Sequence, residues 1–182
     1  MDTTLAIIIL AAVSPVVYWL YVANSKGAPY VQTPMPAVKK MLKLARIQPG
    51  EIVCDIGCGD GRLVILADQE YQAQAIGFEL SPPIYIYAKL LHWIKRTKTE
   101  ALILFKDSRH INLGEVDVVV LFMMPKPLRE FWKQKFEHEL KPSARVISYA
   151  FSIQGWTPCH TEPKQPELNV GPIYVYQMDK LY

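Results

Sequence analysis

Cysteine and histidine are scarce in this sequence: its 182 residues include three cysteines and four histidines. An odd number of cysteines without regular spacing argues against a disulfide framework and favours a reducing compartment. Cys54 and Cys58 lie close together, but no cluster of cysteines and histidines completes a set of metal ligands, so we predict no metal site. The net charge of +3 is also small, and we therefore expect no nucleic acid among the partners.

Charge is absent from one long stretch near the N-terminus, residues 3–25, which is mostly apolar. About 20 apolar residues in a helix cross the hydrocarbon core of a bilayer, so we predict an N-terminal transmembrane helix. Residues 1–26 would form the anchor, with residues 3–23 in the membrane. A cleaved signal peptide and a buried helix are the alternatives, and the lack of an early Lys or Arg disfavours the signal peptide. Basic residues follow the stretch, so the positive-inside rule predicts a single-pass membrane protein whose residues 27–182 face the cytoplasm. They are Lys26, Lys39, Lys40, Lys43 and Arg46.

No internal repeat is visible in residues 27–182, which have the length of one domain. Short apolar runs typical of strands alternate with helix-like segments five times, and two further strand-like runs close the chain. This order predicts an α/β fold with a doubly wound, mostly parallel seven-stranded sheet and helices on both faces. The predicted strands are 52–56, 75–80, 101–105, 116–122, 144–151, 156–160 and 172–178, and the predicted helices are 34–46, 62–70, 82–96 and 128–140.

Three alternating glycines follow the first predicted strand. Asp55 is followed by Gly57, Gly59 and Gly61, and an apolar helical run begins directly afterwards. Glycines let a ligand lie against the main chain, and the start of the next helix offers free N–H groups. The spacing G-x-G-x-G differs from the G-x-G-x-x-G that binds the pyrophosphate of dinucleotides. A ligand with a carboxylate, an ammonium group and a ribose fits better, which predicts S-adenosylmethionine (SAM) as the cofactor.

Other residues are candidates for the same site. Glu79 ends the second predicted strand, where an acidic side chain would accept hydrogen bonds from both ribose hydroxyls. Asp107 follows the third strand, where we expect it to meet the adenine amino group. Met123 follows the fourth strand, at the carboxyl edge where open α/β sheets bind ligands. The remaining cofactor-binding candidates are Tyr30 and Thr33, ahead of the first helix, and Cys58, within the glycine loop.

The sequence resembles a known class of enzymes. Segment 53–61, with Glu79 and the order of elements, resembles the seven-stranded, Rossmann-like class I SAM-dependent methyltransferases. A narrower resemblance extends from Tyr30 to about Pro158. Its segments, 30–34 (Tyr-Val-Gln-Thr-Pro), 55–62, 140–148 and 155–158 (Gly-Trp-Thr-Pro), are together similar to the archaeal protein-lysine methyltransferases and their mitochondrial relatives. The mitochondrial members modify the c subunit of ATP synthase and the adenine nucleotide translocase. They also carry an N-terminal hydrophobic segment. Where the archaeal pattern has a His-Glu pair, this chain has Tyr149-Ala150.

Aromatic side chains at or beyond the end of the fifth predicted strand are candidates for an acceptor pocket: Tyr149, Phe151 and Trp156. A partly desolvated pocket would lower the pKa of a lysine. No residue stands out as an obligatory general base. We therefore predict that residues 27–182 form a membrane-anchored SAM-dependent methyltransferase that acts on lysine side chains of proteins, including membrane proteins. Alternatives are a methyltransferase with a lipid, quinone or other small membrane-associated acceptor, and a SAM-binding protein without catalytic activity.

Overall fold

The computed structural model describes residues 3–7, 9–11, 13, 14, 17 and 31–181, and the chain divides into two units, Met1–Val31 and Gln32–Tyr182. In the first unit the described residues up to residue 17 are helical.

Over the described residues, no helix combines the length and the apolar character required to cross a bilayer. The predicted N-terminal transmembrane helix is therefore wrong, and so is the single-pass membrane location with residues 27–182 facing the cytoplasm. The other residues of the predicted anchor lie outside the described residues: 1, 2, 8, 12, 15, 16 and 18–26. The domain boundary after residue 26 stays a prediction.

The second unit contains a seven-stranded sheet with the order β3-β2-β1-β4-β5-β7-β6. Strands β1 to β5 are parallel to one another, and β7 is antiparallel to both β5 and β6. This arrangement confirms the predicted mostly parallel, doubly wound sheet. The strands are β1 (Ile52–Ile56), β2 (Gln74–Glu79), β3 (Leu102–Phe105), β4 (Val118–Leu121), β5 (Arg145–Tyr149), β6 (His160–Glu162) and β7 (Ile173–Gln177).

Helix α1 (Met35–Ala45) precedes β1. The α-helices between parallel strands are α2 (Arg62–Tyr71), α3 (Pro82–Ile94), α4 (Pro125–Pro127) and α5 (Lys133–Glu139), with a π-helical segment, Leu128–Trp132, between the last two. Short 3-10 helices occur at Ser108–His110, Pro166–Leu168 and Met178–Lys180. The predicted helix at 128–140 therefore begins earlier, at Pro125, where proline is tolerated because the first helical N–H has no partner within the helix.

One strand differs from its prediction. The run 156–160 does not form a strand: Trp156 is buried in the core, after Gly155 in a left-handed conformation (φ +83°). Pairing with β7 begins only where the Cys159 N–H donates to the Val175 carbonyl at 2.9 Å, so β6 is short and starts at His160.

Hydrophobic cores fill both faces of the sheet. Along β4, Val118 and Val120 belong to the core shared with α1 and α2, while Val119 and Leu121 belong to the core shared with Phe136 of α5. Because β4 is buried on both faces, its sequence is a continuous apolar run. The strands that follow β1 in the sequence, β2 and β3, lie on one side of it in the sheet, and β5 lies on the opposite side, beyond β4. The carboxyl ends of β1 and β4 therefore form the switch point at which open α/β sheets bind ligands.

Candidate functional site

The glycine loop after β1 is held by the neighbouring strand. The N–H groups of Gly57 and Cys58 both donate to the carbonyl of Phe78 on β2, at 3.0 Å each. Gly61 has a φ of +76° and caps α2, and a Cβ there would overlap Ile103 Cδ1. Gly57 has a φ of +77°, but a Cβ there would meet nothing within 4 Å. Glycine at position 61 thus serves packing inside the protein, whereas the main chain at position 57 borders open space.

Glu79, at the end of β2, is buried beneath this loop with a relative exposure of 8%. One carboxylate oxygen accepts the Gly59 N–H at 3.0 Å and the other accepts the Ser81 N–H at 2.7 Å. Burial raises the pKa of the carboxyl, and these backbone hydrogen bonds oppose the rise. A carboxylate oxygen accepts two hydrogen bonds, so each oxygen can also accept one from a ligand hydroxyl.

Asp55, on β1, is 7% exposed, and no donor among the described residues hydrogen bonds to its carboxylate. Burial, together with the negative charges of Glu79 and Asp60, raises the pKa of its carboxyl to about 8. A buried acidic side chain without a partner is costly to ionise. A cation placed at this edge of the sheet would favour the ionised form.

Two contacts clamp the far end of the loop at Asp60. Its carboxylate pairs with the Arg62 guanidinium at 2.7 Å, and the same guanidinium donates to the Thr33 carbonyl at 3.0 Å. Its carbonyl lies 2.6 Å from His92 Nε2 on α3, and His92 Nδ1 lies 3.3 Å from the Thr97 hydroxyl. The carbonyl can only accept, so His92 Nε2 donates this hydrogen bond. Sequence reasoning missed His92, because a single histidine on a helix carries no local signal.

The other cofactor candidates are placed differently. Cys58 is buried against Gly77, and a Cβ added to Gly77 would lie 2.6 Å from the Cys58 Sγ. Burial raises the pKa of the Cys58 thiol. Asp107 accepts hydrogen bonds from the side chain of Arg109, which lowers the pKa of the Asp107 carboxyl. Met123 is half-buried after β4. Thr33 is joined to the loop through Arg62, and Tyr30 lies outside the described residues.

The acceptor candidates do not form one group. The rings of Tyr149 and Phe151 both contact Phe122, the residue that follows β4. Trp156 packs instead against Phe136 and Tyr176 in the core that includes α5, and its indole N–H donates to Glu137 at 2.8 Å. The structure therefore joins Tyr149 and Phe151 through a residue that sequence reasoning missed. Trp156 has other neighbours.

A known sequence family covers this site. The ANTKMT methyltransferase domain matches residues 55–160, which include the glycine loop, Glu79 and Phe122. A protein-lysine N-methyltransferase from Saccharolobus islandicus is 37% identical over 132 residues, which are 71% of this chain and 81% of that protein. An adenine nucleotide translocase lysine N-methyltransferase from Mus musculus is 34% identical over 130 residues. This chain covers 56% of the Mus musculus protein, less than two thirds of its length.

A solved structure has a similar fold. It is an RNA methyltransferase from Salinibacter ruber in complex with S-adenosyl-L-homocysteine, with a TM-score of 0.74 and 25% identity. The similarity covers 84% of this chain and 96% of that protein.

Proposed function

Because this chain belongs to the ANTKMT methyltransferase domain family, we propose that it transfers the methyl group of SAM to the side-chain amine of a lysine in a protein substrate. The lysine acceptor rests on the 37% identity with a protein-lysine N-methyltransferase, over 81% of that protein's length. The RNA methyltransferase with a similar fold is less similar in sequence, at 25% identity. Lysine is therefore favoured over RNA as the acceptor.

The residues around the glycine loop fit the donor. Each oxygen of Glu79 can accept a further hydrogen bond, which suits a pair of ribose hydroxyls. The Asp55 carboxylate, which has no donor among the described residues, suits the ammonium of the methionine moiety, because a nearby cation favours the ionised form of a buried acid. The open space in front of Gly57 lets a ligand approach the main chain. These three residues support SAM as the cofactor.

The chain's contribution to catalysis is alignment and exclusion of water. The sulfonium of SAM supplies a methyl group on a leaving group that is already activated. The neutral lysine nitrogen forms the new N–C bond as the S–C bond breaks, the electron pair of that bond stays on sulfur, and the nitrogen then loses a proton to solvent. Correct alignment of such reactants accounts for a large part of the barrier reduction. The aromatic residues Tyr149 and Phe151, with Trp156 as a more distant candidate, are proposed to dehydrate the lysine amine so that it enters neutral.

Labelled transfer tests this function. The full chain is incubated with methyl-labelled SAM and an extract divided into membrane and soluble fractions, and the protein product is hydrolysed in acid. We expect the label to appear in methylated lysine, and the predicted membrane-protein acceptor requires it to be concentrated in the membrane fraction. Glu79→Gln should abolish most of the transfer, whereas the matched change at an exposed helical position, Glu70→Gln, should not.

The alternative outcomes are distinct. Label that partitions wholly into organic solvent would contradict the lysine acceptor and favour a lipid or quinone. Binding of SAM without any transfer would favour a non-catalytic SAM-binding protein.

A further inference from the structure

Phe122 occupies a central position at the carboxyl edge of the sheet. On β4, Leu121 lies opposite Ile56 of β1 and opposite Ser148 of β5. Phe122 directly follows β4, so the adjacent strands end with Gly57 just after β1 on one side and with Tyr149, the last residue of β5, on the other. One of these neighbours begins the glycine loop, and the other is a candidate acceptor residue.

The ring of Phe122 contacts two further rings. Its centroid lies 4.9 Å from that of Tyr149, with the planes nearly perpendicular at 83°, and 6.3 Å from that of Phe151, with the planes stacked at 21°. Both geometries are favourable for aromatic pairs. The Tyr149 ring is fixed further because its hydroxyl accepts the Gly171 N–H at 2.9 Å. Phe122 and Phe151 are half-buried, so this aromatic group is partly accessible from the edge of the sheet.

An unusual turn holds this aromatic group together. Ala150 has a φ of +67°, a left-handed conformation that is unfavourable for a residue with a Cβ. Among the described non-glycine residues, the others with positive φ follow helices: Arg46, Gln72, Arg96 and Asn169. The Ala150 turn is instead fixed by its own N–H, which donates to the Pro172 carbonyl at 2.8 Å, and by the Ser148 hydroxyl, which donates to the Phe151 carbonyl at 2.6 Å. Backbone strain that the surroundings maintain in this way is concentrated at functional sites.

We propose that Phe122 is a further residue of the acceptor site: with Tyr149 and Phe151 it forms an apolar wall that excludes water from the acceptor amine. This inference rests on the proposed function and adds a residue and a physical role to it. An amine enclosed by apolar surface favours its neutral, nucleophilic form. A wall of this kind explains how the chain activates a lysine although it has Tyr149-Ala150 in place of an acidic pair.

The pH dependence of kcat tests the proposal, because kcat reports the ionisation of groups in the enzyme–substrate complex. Phe122→Ala should admit water to the acceptor, shift the alkaline rise of kcat upward by about one pH unit and lower kcat/KM for the acceptor about tenfold or more. The Kd for SAM should change by less than about twofold, since the donor contacts proposed above involve other residues. Phe122→Tyr, which retains the ring, should restore the wild-type pH profile.

The control is Phe131→Ala, which removes a half-exposed ring whose contact is with Trp132. It should leave the profile unchanged. If Phe122→Ala does not fold, Phe122→Leu tests the same loss of the ring with less loss of volume.

The outcomes separate the two proposals. Wild-type protein that transfers no methyl group to lysine contradicts the proposed function. Wild-type transfer combined with an unchanged profile in the Phe122 variants overturns only the role of Phe122. A Phe122 variant that weakens SAM binding as much as acceptor turnover overturns it too, because the residue would then act on the donor.

Discussion

Gly57 and Gly50 form a matched pair that tests the donor site. Their φ values are +77° and +85°, and a Cβ at either position meets nothing within 4 Å. An alanine therefore introduces the same backbone strain at both, about 1–2 kcal/mol. Part of this cost is offset because alanine restricts the unfolded chain by about 0.4–1 kcal/mol more than glycine does. We expect both Gly57→Ala and Gly50→Ala to lower the free energy of unfolding by roughly 1 kcal/mol.

The two substitutions differ in where the new methyl group lies. At Gly57 it enters the space that the donor is proposed to occupy beside the main chain, whereas Gly50 lies in the turn before β1. A methyl group that forces a ligand out of contact costs about 1.4–2.8 kcal/mol of binding free energy, which is a loss of affinity of about tenfold to a hundredfold. Gly57→Ala should therefore weaken SAM binding by this factor, and Gly50→Ala should leave it within about twofold of the wild type.

Calorimetric titration with SAM and with S-adenosylhomocysteine measures the affinities, and chemical denaturation measures the stabilities. A third variant, Gly61→Ala, provides an internal check, since its Cβ would overlap Ile103 and it should lose more stability than either of the others. Equal SAM affinities for Gly57→Ala and Gly50→Ala, at equal stability, would refute the assignment of the space at Gly57 to the donor.

Three further substitutions probe neighbouring residues. The pKa of Asp55 is raised from 3.8 to about 8 in the folded protein, so the folded state retains a proton that the unfolded chain releases, and stability falls as the pH rises from about 4 to about 8. Asp55→Asn should remove this fall, so the variant should become more stable relative to the wild type as the pH rises across that range. Parallel plots of unfolding free energy against pH for the two proteins would be inconsistent with the raised pKa. Glu79→Gln places an amide N–H₂ against a backbone N–H and should weaken SAM binding about tenfold to a hundredfold. The loss of stability should be small, because the substitution also removes a buried negative charge near Asp55. His92→Phe removes the donor to the Asp60 carbonyl and should raise the Kd for SAM several-fold without changing the KM for the acceptor. The control Trp93→Phe, at the exposed neighbouring position, should change neither the Kd nor the KM. Equal effects of the two substitutions would disprove a role of His92 in positioning the loop.

The centre of the parallel sheet could be predicted because β4 is buried on both faces. Val118–Leu121 is a continuous apolar run, and the glycine loop follows β1 directly, so both are visible in local sequence. The start of β6 could not be predicted, because tryptophan is common in strands but Trp156 packs in the core beside Phe136 instead. Its place depends on tertiary packing, which overrides local preference.

The N-terminal segment shows what composition leaves undetermined. An uncharged apolar run sets how far a helix could extend, but it does not fix where a helix starts and stops. Over the described residues, no helix has the length and the apolar character that a crossing of the bilayer requires.

Long-range contacts account for the rest. His92 reaches Asp60 across 32 positions of the chain, and Phe122 meets Tyr149 through strand pairing between β4 and β5. Neither contact follows from a motif, because each depends on the register and packing of separate elements. The left-handed turn at Ala150 is also invisible in sequence, since alanine is not a residue that favours it.

A crystal structure of the full chain with S-adenosylhomocysteine tests the central claim most directly. The account predicts that the ribose hydroxyls lie within hydrogen-bond distance of the Glu79 carboxylate, about 2.5–3.0 Å, and that the methionine moiety runs along the main chain at Gly57 towards Asp55. A ligand bound elsewhere, or a loop at 57–61 that stays empty at saturating ligand, would contradict it.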